Sequence, residues 1–182
     1  MNSWLWVAPV IVGAAVLWYI ATMNRFARLL VKIREADSGI EVALTKRFDT
    51  LTKMLDVTKA YAKHEAETLA NVVEMRQGMS ISQRSDANSQ MDELHGKINV
   101  LAEAYPELRS SENFRVLQTT IADVEEELQA VRRIYNMNVS QFNQMLVSWP
   151  DSMVGHIHGH EKQDFFKAEE RKKQDVAMQF SL

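Results

Sequence analysis

From Ser3 to Met23 the chain reads SWLWVAPVIVGAAVLWYIATM, without a single charge. As a helix this run extends about 30 Å, the thickness of a bilayer's hydrocarbon core. Whatever follows it must therefore fold while tethered to a membrane. Trp4 and Trp6 at one end, and Trp18 and Tyr19 at the other, suit the two interfaces where amphipathic rings settle. Pro9 lies close enough to the start to leave the helix intact. No basic segment precedes the run and no small-x-small cleavage site follows it, so it reads as an uncleaved anchor over residues 1–23 rather than a signal peptide. Arg25, Arg28, Lys32 and Arg34 follow at once. The positive-inside rule then places residues 24–182 in the cytoplasm.

Composition narrows the soluble part. Six glycines and three prolines, with 25% charged residues, favour long helices over strands and turns. The net charge of -3 argues against nucleic acid as a partner. Absence of cysteine excludes disulfides, thiol nucleophiles and cysteine-based metal centres.

Beyond the anchor, Ile33, Ala36, Ile40, Leu44, Phe48, Leu51, Leu55, Thr58, Ala62, Ala66, Leu69 and Val73 recur at a mean step of about 3.6, one face of a straight helix. Gly78 and the polar run SISQRSDANSQ predict a loop over 78–90. A shorter helix over 90–105 carries Met91, Leu94, Ile98, Leu101 and Tyr105, and Pro106 ends it. Ser110 or Ser111 caps the last helix. There Phe114, Leu117, Ile121, Val124, Leu128, Val131, Tyr135, Asn138, Phe142, Met145 and Trp149 alternate steps of three and four, a seam that needs a partner along its whole length. A helix over 111–149 is about 58 Å long and one over 90–105 about 24 Å, so the surplus seam predicts packing on the first helix or on a second subunit. The soluble fold expected is all-α: a transmembrane helix continuing into an antiparallel, three- or four-helix, up-and-down bundle over 24–150, then a charged tail over 151–182.

Beside the seam runs a polar ladder, Glu125, Arg132, Asn136 and Asn143, on one line of the helix. Asn138 is the one strongly polar seam position and suits a register-fixing role. Arg47 and Asp49 are the natural internal partners of this ladder. Either the ladder is a solvated bundle flank or it is a semi-buried network that specifies a partner helix or another subunit.

Two blocks of sequence carry a resemblance. The first, VALTKRFDTLTKMLDVTKAYAKHEAETLANVVEMR, has a double-basic, acidic, leucine-rich segment and then Tyr61, Ala62, His64 and Glu65. The second has Glu112 to Phe114, then Arg132 with Tyr135 and Asn136, Phe142 with Asn143, and Trp149 with Pro150. In these blocks the chain resembles the LemA family of bacterial membrane-anchored helical proteins. The resemblance implies a bacterial inner-membrane protein with one span, an antiparallel four-helix bundle, and a helix break where the family has Ile-Pro-Asn. Here those positions are Leu51, Thr52 and Lys53, and the proline is missing.

Catalytic constellations are scarce. HEAET at His64 opens like a zinc-protease HExxH, but Thr68 replaces the second ligand. The candidate metal cluster is HIHGH: in an extended chain His156, His158 and His160 alternate onto one side, and neutral imidazoles suit zinc, copper or nickel. The resemblance gives these histidines no role, and otherwise no cofactor is expected. Two functions remain. One is a self-associating membrane scaffold without catalytic activity, with the lipid bilayer, further copies of itself and other membrane proteins as partners. The other is a sensor or adaptor that binds a protein, peptide or metal ion through the bundle or the HIHGH tail.

Overall fold

The structure, a computed structural model, describes residues 4–64, 66 and 78–167. Leu69, Val73, Glu65, Thr68, Met178 and Phe180 lie outside the described residues, as do the side chains of Trp4 and Trp6.

The helix α1 (Trp4–Lys59) holds both the uncharged run and the amphipathic residues that follow it. Among the described residues it is the one helix long and apolar enough to cross a membrane. Val10, Ile11, Val12 and Leu17 stand exposed along it, as a lipid-facing surface requires. The pattern inverts within one turn of Met23. Phe26, Leu29, Ile33 and Ala36 are buried, while Arg25, Arg28, Lys32 and Arg34 face solvent.

The helix break that the resemblance places at Leu51–Lys53 does not occur there. With Thr52 in place of a proline, the backbone ladder continues, the Thr52 hydroxyl donates to the Phe48 carbonyl, and Leu51 sits in the core. The chain turns instead at Ala60–Ala62. Ala60 and Tyr61 donate to the carbonyls of Val57 and Thr58, the tighter three-residue spacing that often closes an α-helix. Residues 63, 64 and 66 are helical again.

The loop expected over 78–90 is also corrected, because helix α2 (Ile81–Ala104) begins inside it. Ser80 and Gln83 form a capping box: the Gln83 N–H donates to the Ser80 hydroxyl, and the Ser80 N–H donates to the Gln83 side chain. That reciprocal pair satisfies two orphan donors. The segment is polar because its inward side meets polar partners, with Arg84, Ser85 and Asn88 all buried. A single turn, α3 (Pro106–Ser110), follows with proline at its first position. Ser111 accepts from the Phe114 N–H and opens α4 (Glu112–Val147). After a cis peptide bond between Trp149 and Pro150 comes the short α5 (Asp151–Ile157).

The chain forms two compact units. In the first, made of residues up to Ser38 and Arg133–Phe165, α1 and α4 run antiparallel. Phe26 meets Phe142 edge to face at 5.5 Å, and Asn138 donates to the Lys32 carbonyl at 3.4 Å. In the second unit, Gly39–Arg132 with the residues from Phe166 onward, Lys46 and Glu127 pair at 3.0 Å as α1 passes antiparallel to α4. Helix α2 lies parallel to α1, linking Arg84 to Glu41 and Asn88 to Arg47. It lies antiparallel to α4, where Gln118 donates to Asn99 and His95 faces Glu125. The second core gathers Leu51, Met54, Met91, Ile98, Leu108 and Phe114. Each such side chain contributes roughly 1.5–3 kcal/mol when fully buried.

The seam of α4 is satisfied inside the chain. Phe114, Ile121, Val124, Leu128, Tyr135, Asn138, Phe142 and Met145 are buried, whereas Trp149 is 80% exposed. Because α2 begins at Ile81 it has 24 residues and is about 36 Å long. The 36 residues of α4 extend about 54 Å, so α2 covers only part of the seam, and α1 covers the rest through contacts such as Phe26 on Phe142.

Candidate functional site: the bilayer-proximal end

The uncharged run ends at Met23, and in the first unit α5 is fastened beside that end. Thr22 donates to Asp151 at 3.2 Å, Arg25 pairs with the same carboxylate at 3.5 Å, and a hydrogen bond of 2.8 Å joins the Tyr19 hydroxyl to His158 Nε2. Gly155 allows the approach. A Cβ there would stand 2.7 Å from Leu146 and 3.2 Å from Phe26, and both of those side chains are buried. While Val154 packs inward, Trp149, Met153 and Ile157 remain exposed. Met153 and Ile157, four residues apart on α5, share one face, and Trp149 stands just before the helix.

The HIHGH residues do not form the extended alternation expected of them. His156 and Ile157 end α5, and the His156 Nδ1–H donates to the Ser152 carbonyl one turn back. His158 and His160 stack at 6.1 Å, and His160 lies against Phe26 and Phe142 at 5.1 and 5.7 Å. Burial, with the His158 charge behind it, pushes the His160 imidazole below its ordinary pKa. Gly159 turns the chain with φ +64, a left-handed conformation that glycine adopts without strain. Among the described residues no three His, Asp or Glu side chains are grouped as a metal ion would need.

Beside α5 a groove of about 480 Å³ is lined by Arg25, Arg28 and Lys32 from α1 and by Gln141, Gln144 and Ser148 from the end of α4.

The polar ladder of α4 has a partner that the sequence did not reveal: the extended segment after HIHGH. In the first unit Asn143 donates to the Gln163 carbonyl at 2.8 Å and accepts from the Gln163 N–H at 2.9 Å. Tyr135 donates to the Asp164 carbonyl. In the second unit Arg132 and Ser85 donate to the Lys167 carbonyl, and the Arg132 guanidinium sits 4.6 Å over the ring of Phe166. Phe166 is 1% exposed and so docks on its own chain, while the neighbouring Phe165 is exposed. Asn136 is half-buried on the same flank.

Glu125, the first rung, belongs to a different cluster. Arg47, almost wholly buried, donates to Asn88, Asp92 and Glu125. Glu125 also faces His95 at 3.2 Å. The His95 hydrogen bond, together with the charge and hydrogen bond of Arg47, overcomes burial and holds the Glu125 carboxyl at about 2. Asp49, expected with Arg47 as an internal partner of the ladder, is exposed; two residues along a helix turn it to another side from Arg47. Asn88 lies in the polar segment that resembled a loop, whereas Asp92 and His95 lie in the helix expected over 90–105, beside its apolar stripe rather than on it.

The model of the LemA family matches residues 36–180. A LemA protein of Metamycoplasma hominis is 29% identical over 91% of this chain and 78% of its own length. The magnetosome protein MamQ of Magnetospirillum gryphiswaldense is 22% identical over 39% of this chain, and MamQ 2 of Paramagnetospirillum magneticum 24% over 40%. In both cases the match spans about a quarter of the magnetosome protein. With a family match across most of the soluble part, an apolar N-terminal helix and a helical bundle behind it, the chain belongs to the LemA family of membrane-associated helical proteins.

Proposed function

We propose that this protein is a single-pass, non-catalytic scaffold that organises the bilayer surface, with its bundle in the cytoplasm. The observation that carries the reading is α5. Its bonds to Thr22 and Tyr19 hold it level with the end of the span, and Trp149, Met153 and Ile157 form an exposed apolar edge at that level. A short amphipathic helix so placed lies in the interface with its apolar side among the acyl chains. Each molecule then displaces lipid in one leaflet beyond the area of its span, and many copies side by side bend the sheet. Self-association is part of this proposal, and it concerns outward surfaces, since the α4 seam is occupied.

Electron microscopy of the full-length protein in lipid vesicles tests this reading. The expected result is ordered multimers or deformed vesicles at high protein density, both reduced when Trp149, Met153 and Ile157 are changed to serine. Isolated monomers on undisturbed vesicles would overturn it.

A further inference from the structure

Arg25, Arg28 and Lys32 leave α1 at steps of three and four, so they point to one side. The groove they line with Gln141, Gln144 and Ser148 is about 480 Å³, within the range of small-ligand sites. Leu29 and Met145 supply its apolar walls. Asp151 is the single acid among the lining residues, and its two oxygens already serve Thr22 and Arg25. Arg28 and Lys32 make no ion pair among the described residues, and both are exposed. Three cations against one engaged carboxylate leave the groove strongly positive. Like charges one turn apart repel, and an anion between them relieves that repulsion.

The depth of the groove identifies the anion. Arg25 follows Met23 by two residues and Lys32 by nine, which is about 3 to 14 Å along the helix axis. Headgroups occupy roughly the first 5–8 Å outside the hydrocarbon core. Arg25 and Arg28 therefore lie among the phosphates, and Lys32 reaches back toward them along its flexible stem. Side-chain amides and a hydroxyl on the opposite wall can bond a hydroxylated headgroup, which a trimethylammonium group cannot use.

We propose that this groove binds the headgroup of an anionic phospholipid. The phosphate is held by Arg25, Arg28 and Lys32, and the headgroup hydroxyls are held by Gln141, Gln144 and Ser148. The inference rests on the membrane-spanning part of the proposed function but not on assembly or bending. Bound in this way, a lipid fixes the rotation of the bundle's base about the membrane normal.

Calorimetry on the full-length protein in neutral detergent micelles tests it, with short-chain phosphatidylglycerol, short-chain phosphatidylcholine and inorganic phosphate as separate titrants. Saturable binding of phosphatidylglycerol is expected, at least tenfold tighter than phosphate, with no saturable heat from phosphatidylcholine. Arg28→Gln combined with Lys32→Gln should weaken it about tenfold or more, since each basic residue near the surface is worth about 1 kcal/mol. Gln144→Glu, which adds a carboxylate to the groove wall, should do the same. Arg34→Gln removes an exposed charge from the same stretch outside the groove and should change nothing; unaltered helicity by circular dichroism accompanies each variant. Equal binding of the two lipids, equal loss in Arg34→Gln, or phosphate binding as tight as lipid would each overturn the proposal. Lipid binding on undisturbed vesicles would remove the scaffold and leave the groove.

Discussion

Arg47 shows what a single buried charge demands of its surroundings. It is 1% exposed and draws Asn88, Asp92 and Glu125 around it, while its Nε has no hydrogen-bond partner among the described residues. Substituting Arg47→Met leaves two carboxylates without their cation, and both are partly exposed, which limits the penalty. A loss of about 2–3 kcal/mol follows, read as a lower midpoint in denaturant unfolding of the detergent-solubilised chain. The same cluster sets an acid limit. Because the Glu125 carboxyl is lowered from 4.5 to about 2, the unfolded chain binds its proton first as pH falls. Its contribution is complete above 4.5 and is lost as pH drops through about 2. Glu125→Gln should flatten the stability profile in that window; an unaltered acid limb would contradict the assignment.

At the scale of elements, periodicity served well wherever the inward side of a helix is apolar. The stripe from Ile33 to Ala66 and the seam from Phe114 to Met145 are read directly from steps of three and four, and both are inward. It failed where the inward side is polar. Arg84, Ser85 and Asn88 looked like loop residues, yet they are buried, and the Ser80–Gln83 capping box was the available signal. Helix ends were legible at Pro106 and Ser111 but not at Ala60, where no proline or glycine marks the turn. The ladder on α4 was visible as a line of polar residues, but its partner is backbone of the tail, and backbone leaves no trace in composition. Phe166 is the side chain that anchors this strap. Phe166→Ala should cost about 3–5 kcal/mol if the strap is as firmly packed as a core segment. It should also raise hydrogen exchange at Gln163, whose N–H is bonded to Asn143. Unchanged exchange there would show the strap held by its polar bonds alone.

At the scale of the whole molecule, the uncharged N-terminal run was the plainest feature of the sequence, and the structure makes it the start of one long helix, whereas the histidine cluster changed meaning. HIHGH looked like a metal site; in the fold its rings secure α5, with His158 on Tyr19 and His160 on Phe26 and Phe142. This fastening turns one helix end into a broader foot that carries exposed apolar side chains and a basic groove. The central claim is that the foot lies in the interface, and Trp149 is its reporter because the protein itself leaves it 80% exposed. The most direct measurement is fluorescence from a variant retaining Trp149 alone, with Trp4, Trp6 and Trp18 changed to phenylalanine, reconstituted in vesicles containing lipids brominated at known depths. The account predicts blue-shifted emission quenched most strongly by bromines nearest the headgroups, whereas water-like emission indifferent to every brominated lipid would contradict it.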